Sequence, residues 1–391
     1  MKIITRYILK QVFLFFLVSL LLMTSAFLLY YVSEATIAQG LPLDISVRLI
    51  PYILPYLFSV TLPVATLLAG TLVYGKMSGT NEMIALKAMG VPPWRVFLPT
   101  WVFAIIVSVF AVWMNDLGFS WGMPNAERVA IEGTETMILK RLAAEGKFSD
   151  KPGNISISVS GVTRDRVLLQ PTFSGKVFSG EGIADRGRLS VDFTGNEPRI
   201  RIELTDVIFK NHQGTGLLPQ TMTFEAPLSQ FGFGMSQGDP PMAKVDEMIR
   251  GFQAQKERSR RRLAAQTAFA LAAGDLSFAE SGQWQRQKEE EAQLDRQMIK
   301  SAIAVPRRWS SGFSCFFFIW VGIPVAVWLN RPEYLAGFFA CFLPILIAYY
   351  PLLMVGLNGA KSGVLPPICC WIGNVVLALA GLWFLKRIHR H

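Results

Sequence analysis

Six stretches of the chain lack Asp, Glu, Lys and Arg for at least 20 residues, and they interrupt an otherwise mixed polar and apolar pattern. A helix needs roughly 20 apolar residues to cross about 30 Å of hydrocarbon. The pattern therefore predicts six membrane helices, three on each side of a long polar region. The stretches are residues 11–33, 49–75, 96–115, 309–330, 334–360 and 362–385.

After residue 150, the polar region alternates apolar and polar residues with a period of two. NISISVS places Ile155, Ile157 and Val159 on one face, and RIRIELTDVIF does the same around Ile202 and Leu204. Such alternation predicts an antiparallel sheet curled or folded over one apolar face. The inner face either forms an ordinary domain core or provides a path for an acyl chain.

From Pro240 the composition shifts to Ala, Gln, Glu, Lys and Arg, which are good helix formers. We expect two helices with a break near Gly274, lying outside the membrane and leading to the fourth membrane helix. The RSRRR cluster at Arg258–Arg262 is either a solvated helix face paired with nearby Glu or a site for lipid headgroups or phosphates.

The predicted fold is a membrane α-helical protein of six transmembrane helices in a 3+3 order, with an inserted extracytoplasmic all-β domain and a helical connector. The first stretch is too long for the apolar core of a signal peptide and should remain as an anchor. The predicted boundaries are 1–115 for membrane helices 1–3, 116–240 for the β-domain, 241–308 for the connector and 309–391 for membrane helices 4–6.

Composition and charge refine this prediction. Hydrophobic residues make up 51% of the chain and charged residues only 17%, below the quarter or so typical of soluble domains. Lys and Arg concentrate near the two termini and in residues 76–95, and short cytoplasmic loops are enriched in these residues. We therefore expect cytoplasmic termini and an outward-facing β-domain. Nucleic acid is excluded as a partner because the arginine cluster belongs to the exported part.

The motifs of catalysis and nucleotide binding are absent from the sequence. It contains no G-x-x-x-x-G-K-[ST], H-E-x-x-H or G-x-S-x-G pattern and only three histidines, two of them in the last three residues. We predict no catalytic residue, no metal site and no cofactor. If the chain transports a substrate, the energy comes from another subunit.

The segment TNEMIALKAMGVPPWRVF, between the second and third membrane helices, predicts a short helix within residues 80–90. Thr80 is the expected N-cap, and Gly90 with the following prolines ends the helix. Glu82 falls on the same arc as Leu86 and Met89. The helix is either a coupling helix for a separate ATPase subunit or an amphipathic connector on the membrane surface.

The segment NEMIALKAMGVPPWRVFLP resembles the [SN]-E-[LM]-x-A-[LM]-[RK]-A-x-G-[VI]-[SP]-x-x-R signature of the LptF/LptG permease family. FFFIWVGIPVAVWLNR and GVLPPICCWIGNVVLALAGLWFLKR are similar to the later membrane helices of that family. The resemblance spans essentially the whole chain. It implies that Glu82 contacts the ATPase, with Ala88 and Gly90 shaping the same element.

The resemblance also implies an inner-membrane permease of the lipopolysaccharide-export ABC transporter and a jellyroll fold for the β-domain. Its expected partners are a cytoplasmic ABC ATPase dimer, a second LptF/LptG-like permease chain, periplasmic bridge proteins of the LptC/LptA type, and lipopolysaccharide or a related glycolipid. ATP hydrolysis would take place on the separate ATPase. This chain would be a non-catalytic subunit.

Three residues of the first helix, Phe13, Phe16 and Leu20, are candidates for the wall of a lipid cavity, although lipid-facing packing explains them equally well. An alternative function is a membrane-anchored scaffold whose β-domain binds an envelope partner without transport. A lipid-modifying enzyme is a third hypothesis, with Glu34 and Asp44 as its only candidate acids, both expected in loops.

Overall fold

The structure is a computed structural model of the 391-residue chain. The chain divides into two compact units, Met1–Phe27, Leu54–Ser120 and Asp239–His391 in the first, and Leu28–Ile53 and Trp121–Gly238 in the second. The structure describes residues 2–38, 41–150, 155–163, 167–175, 180–192, 199–211, 214–218, 222–227, 239–272, 282–329 and 334–390.

The helices, in chain order, are α1 (Lys2–Ser33), α2 (Leu43–Gly79), α3 (Glu82–Ala88), α4 (Pro93–Leu117), α5 (Met123–Glu145), α6 (Met242–Ala272), α7 (Gly282–Leu329), α8 (Tyr334–Lys361) and α9 (Ile372–Arg390). Short π-helical turns follow α1 and α4, and a 3-10 turn precedes α9. Six helical segments of the described chain are long and apolar enough to cross a membrane. The six predicted membrane helices are therefore confirmed.

Several helices differ from their predicted extents. Helix α7 runs without interruption for 48 residues through Pro306 and Pro324, so the second connector helix and the fourth membrane helix are one element. The break predicted near Gly274 lies outside the described residues. The prediction that Glu34 and Asp44 lie in loops is wrong, because Glu34 begins a π-helical turn and Asp44 lies in the first turn of α2.

Helices α2 and α7 approach each other closely at two glycines. A Cβ atom placed on Gly70 would lie 2.7 Å from the side chain of Ile319, and one on Gly322 would meet the side chain of Leu67. Small residues allow membrane helices to pack by dispersion where the hydrophobic effect gives no driving force. These two contacts explain why glycine occupies both positions.

Helices α6 and α7 form an antiparallel pair, because Lys256 pairs with Asp295, and Arg260, one turn further along α6, pairs with Glu291, one turn earlier in α7. The Arg260 guanidinium lies 3.5 Å from Glu291, and Arg261 lies 3.7 Å from Glu257. These glutamate partners are what the solvated-face interpretation of the arginine cluster predicts.

The second unit begins with residues 28–53, which pack on α5. Ala35, Leu41 and Leu49 share a buried cluster with Ala126 of α5. A Cβ atom on Gly133 of α5 would lie 2.8 Å from the side chains of Ile45 and Leu41. The absence of a side chain at Gly133 therefore permits this close approach.

One antiparallel sheet makes up most of the remaining described residues of the second unit. The sheet order is β1-β2-β5-β6-β4-β3, and β7 pairs with β6, β8 and β9. The jellyroll expected from the family resemblance stays a prediction. The strands are β1 (Lys147–Asp150), β2 (Ile155–Ser158), β3 (Gly161–Val162), β4 (Val167–Leu169), β5 (Thr172–Gly175), β6 (Gly180–Asp192), β7 (Arg199–Asn211), β8 (Gly214–Leu218) and β9 (Met222–Pro227).

The long strands β6 and β7 pair along nearly their whole length, but Asp185 and Asp206 are left out of the register. At this point the alternation of buried and exposed residues shifts by one position. In β7, Ile202 and Leu204 are buried as the alternation predicts, but the next buried residue is Val207. Between them, Asp206 has a φ of 53°, which L-residues adopt rarely. On one side of Asp206, β7 pairs with β9, and on the other side it pairs with β8.

Candidate functional site

The start of α3 differs from its prediction. Thr80 is not the N-cap, since its hydroxyl donates a hydrogen bond to the Lys76 carbonyl at 2.9 Å, which continues the preceding helix. Asn81 occupies the cap position with left-handed backbone angles, φ 60° and ψ 13°, and makes no side-chain cap bond. The Thr80 hydroxyl also lies 3.0 Å from a carboxylate oxygen of Glu82, which is the alternative acceptor for its single proton.

The end of α3 is as predicted. Gly90 has a φ of 80°, the left-handed conformation that glycine adopts without strain. Its N–H donates to the Lys87 carbonyl at 2.9 Å, and the N–H of Val91 donates to the Leu86 carbonyl at 3.0 Å. This pair of bonds is a Schellman motif. Pro92 then caps α4 in an extended conformation.

The two faces of α3 are clearly different. Met83 and Leu86 are buried in the core of the first unit, where they join side chains such as Phe97 of α4. On the other face, Ile84 is 58% exposed and Met89 is 68% exposed. An anchored helix that leaves large apolar side chains exposed presents a surface suited to a partner.

The five residues predicted for this site therefore fall into two groups. Ala88, Met89 and Gly90 are exposed, and Glu82 is half-buried at the edge of the exposed face. Leu86 packs inward and holds the helix in place. Helical periodicity correctly places Leu86 on the same arc as Glu82 and Met89. The Leu86 side chain nevertheless points into the core of its own chain.

Lys87 connects α3 to the last turn of α9. Its ammonium donates a hydrogen bond to the Ile388 carbonyl at 3.4 Å. A cation at a helix C-terminus satisfies free carbonyls and is favoured by the helix dipole. Nearby in the sequence, the Arg387 guanidinium lies 5.1 Å from the Trp328 ring and 5.3 Å from the Trp383 ring. The end of α9 is therefore fixed to both α3 and α7.

The cavity-wall candidates of α1 have different environments. Phe16 is buried and packs edge-on against Phe103 at 5.4 Å, while Leu20 is half-buried. Phe13 is 53% exposed. It belongs to an apolar face of α1 whose other exposed members are Leu14, Leu17, Val18, Leu21 and Leu22.

Two ion pairs in the first unit were not predicted from the sequence. Arg308 is completely buried and pairs with Asp116, whose carboxylate also accepts a hydrogen bond from the backbone N–H of Met242 at 3.0 Å. Arg307 pairs with Asp239 and lies 4.6 Å from the Phe119 ring. The two adjacent arginines directly before an apolar stretch could have indicated these ion pairs, but the sequence does not identify their acidic partners.

A family model described as lipopolysaccharide export system permease LptF/LptG matches residues 4–387, nearly the whole chain. No curated protein matches the chain significantly.

Proposed function

The chain belongs to the LptF/LptG family of lipopolysaccharide export permeases, and we propose that it is one permease subunit of an ATP-driven exporter. It is a multi-pass protein of the inner membrane. The family forms the transmembrane part of the lipopolysaccharide-export ABC transporter. In the proposal, ATP is hydrolysed by a dimer of separate cytoplasmic ATPase subunits.

In the proposed orientation, both termini and α3 face the cytoplasm, and the second unit faces the periplasm. The clustering of Lys and Arg near the termini and α3 supports this orientation. The hydrogen bond from Lys87 to the Ile388 carbonyl is consistent with it, because it brings α3 and the end of α9 to the same side.

The observation that carries the proposal is the anchored, partly exposed helix α3. Met83 and Leu86 hold it in the core, so a force applied to its exposed face would reach the membrane helices. Ile84, Ala88 and Met89 supply an apolar contact area, and Glu82 at its edge supplies a charge for a basic partner. This combination suits docking into a groove of the ATPase.

In the proposal, the apolar face of α1 around Phe13 contacts a second LptF/LptG-like permease chain and the lipid between the two chains. Exposed Leu and Phe side chains would accept acyl chains of lipopolysaccharide or a related glycolipid. Phe16 and Leu20 support this face from behind. Closure of the two chains, driven by ATP binding, would move the lipid outward.

The sheet of the second unit is assigned to the transfer of the lipid to periplasmic bridge proteins of the LptC/LptA type. Its inward face is apolar, with Ile202, Leu204 and Val207, and an acyl chain would reach this face by displacing the side chains that now bury it. Exposed strand edges can add strands of a partner by backbone hydrogen bonding. Such an edge would join the sheet to a bridge protein.

Copurification from native membranes in mild detergent, followed by mass spectrometry of bound proteins and lipids, tests this function. We expect an ABC ATPase, a second six-helix permease and a glycolipid in the purified complex. A complex containing envelope proteins but no ATPase, even after crosslinking, would contradict the proposal and favour the scaffold function.

A further inference from the structure

The antiparallel pair that α6 forms with the first half of α7, which we call the arm, extends far beyond the membrane-spanning part of α7. Glu291, which pairs with Arg260, precedes the uncharged stretch beginning at Trp309 by 18 residues of continuous helix. At a rise of about 1.5 Å per residue, this separation is about 27 Å along the helix axis. The headgroup layer adds only roughly 5–8 Å to each side of the hydrocarbon. The middle of the arm therefore lies outside the reach of phospholipid headgroups.

One face of α6 packs on α7, and the less exposed residues of α6 show which face this is. They recur every three or four positions, the spacing of one side of a helix. They are Val245, Ile249, Phe252, Lys256, Ser259, Leu263 and Thr267. Within the described residues, α7 is the element that α6 chiefly contacts. The side of α6 turned away from α7, which we call the open face, is therefore available to a partner from outside the chain.

Arg258, Arg261 and Arg262 lie on the open face, and all three are exposed. Their spacing of about one helical turn makes their side chains neighbours on the helix surface. Arg261 lies 3.7 Å from Glu257, but both side chains are more than two-thirds exposed, and such pairs contribute little to stability. Among the described residues, no carboxylate forms an ion pair with Arg258 or Arg262. Two positive charges of the open face are therefore left without a counter-charge from the described chain.

The excess charge of the open face favours an anionic ligand. Residues 251–269 contain five basic residues and one acid, Glu257. Like charges one turn apart destabilise a helix, and an anion bound between Arg258 and Arg262 would remove this repulsion. The residues that carry the charge are arginines, whose planar guanidinium binds phosphate oxygens through two parallel N–H bonds. The open face is therefore suited to a phosphate group.

The surroundings of the arginines favour a saccharide over a protein. Ala254, Gln255 and Ala265 are exposed residues one turn away, and they offer little of the apolar core of a stable protein interface. Phe269, which is 79% exposed, lies on the same face two turns beyond Arg262. A single exposed ring is far smaller than a protein interface needs, but it can pack on the C–H face of a sugar ring. The open face therefore fits a sugar that bears phosphate.

We propose that Arg258 and Arg262 bind phosphate groups on the saccharide part of an anionic glycolipid, outside the membrane. Arg261 completes the positive surface, and Phe269 packs on a neighbouring sugar. This site rests on the proposed export function, which supplies the periplasmic position of the arm and a glycolipid as cargo. Lipopolysaccharide carries phosphates on its sugars, so its charge is complementary to the open face. The site is separate from the apolar face of α1, where the proposal places the acyl chains.

The test uses the purified full chain in an amine-oxide detergent, which contains no sugar. The probe is the phosphorylated core oligosaccharide that remains when all acyl chains are removed from lipopolysaccharide. One comparison probe is the same oligosaccharide after removal of its phosphates, and the other is an oligoglutamate peptide of equal charge. Isothermal titration calorimetry measures the affinities. We expect saturable binding of the phosphorylated oligosaccharide that weakens as salt is added, and binding about tenfold weaker for each comparison probe.

The double variant Arg258→Gln/Arg262→Gln removes the two charges assigned to phosphate, and we expect the affinity for the phosphorylated oligosaccharide to fall about tenfold. The matched control is Lys244→Gln/Arg250→Gln, which removes the same charge from two exposed residues of α6 nearer its start and should keep the wild-type affinity. Without probe, Arg258→Gln/Arg262→Gln should keep or raise the unfolding temperature, because it removes a repulsion and no ion pair.

Four results would overturn the proposal. The first is equal affinity for the oligosaccharide with and without its phosphates. The second is an equal effect of the two double variants on affinity, which would mean that the chain attracts anions only through its net charge. The third is oligoglutamate binding as tight as that of the phosphorylated oligosaccharide, which would indicate an acidic protein partner. The fourth is a lower probe-free unfolding temperature in Arg258→Gln/Arg262→Gln, which would mean that these arginines have partners within the chain.

Failure of this site is distinguishable from failure of the export function. The oligosaccharide has no acyl chains, and the titration needs neither the ATPase nor a second permease. A chain that copurifies with an ATPase and a glycolipid but binds no phosphorylated oligosaccharide would keep the export function and lose the site on the arm.

Discussion

Arg308 and Asp116 form an ion pair in which the arginine is completely buried. They lie 192 residues apart, so the pair joins the end of α4 to the middle of α7. The preceding residue, Arg307, pairs with Asp239. Because the chain leaves the first unit after Ser120 and returns at Asp239, consecutive arginines hold both connections to the inserted segment.

Asp116→Ala should destabilise the protein strongly, by about 3–5 kcal/mol, since it leaves the buried Arg308 charge without its partner. Thermal unfolding of the purified protein in detergent measures this loss. Asp185→Ala is the control, because Asp185 and Arg186 are both largely exposed at 3.8 Å and such pairs contribute about 0–1 kcal/mol. Similar losses of stability in the two variants would show that the buried pair stabilises the protein no more than an exposed pair does.

Leu86→Ala and Met89→Ala separate the anchor of α3 from its exposed face. Removing the buried Leu86 side chain should cost about 2–5 kcal/mol of stability, through lost burial and the remaining cavity. Met89→Ala should leave the unfolding temperature unchanged and reduce the amount of copurified ATPase. Loss of stability in Met89→Ala would show that this side chain is not free for a partner.

Gly90→Ala should destabilise the protein by about 1–2 kcal/mol, because the residue has a φ of 80° and a Cβ atom is disfavoured there. The comparison variant is Gly75→Ala in α2, where an added Cβ would meet nothing within 4 Å. Alanine is favoured over glycine within a helix by roughly 0.5–1 kcal/mol. The two substitutions should therefore shift the unfolding temperature in opposite directions, and a shift of the same sign would refute the turn geometry.

Glu82→Lys should weaken ATPase binding without unfolding the permease. Loss of a hydrogen bond to a charged group removes about 1.5–3 kcal/mol, so binding should fall roughly tenfold or more. Glu247→Lys reverses the charge of an exposed acid on α6 and should leave ATPase binding at the wild-type level. Equal binding by both variants would remove Glu82 from the interface.

The sequence predicts the membrane helices well, because twenty uncharged residues in succession have few alternatives to a helix in lipid. It also predicts the end of α3, since a glycine followed by two prolines leaves the helix no continuation. The start of α3 was harder to predict from the sequence. Thr80 has the composition of an N-cap, but its hydroxyl bonds to the carbonyl of Lys76, one turn back in α2, instead.

Long-range partners could not be predicted from the sequence. Nothing near Arg308 indicates that its acid is Asp116, and nothing in residues 28–53 indicates that they pack on α5. Likewise, helical periodicity placed Leu86 with Glu82 but could not say which part of the arc faces the core. These features depend on which elements meet in three dimensions, and local patterns do not contain that information.

The most direct test of the docking of α3 places a photocrosslinking amino acid at Met89 in cells and identifies the captured protein by mass spectrometry. Phe269 of α6, which is also exposed, is the control position. Docking of α3 on the ATPase predicts an adduct with a cytoplasmic ABC ATPase from position 89 and none from position 269. Capture of lipid alone at position 89, or of the ATPase at position 269, would contradict the docking of α3 on the ATPase.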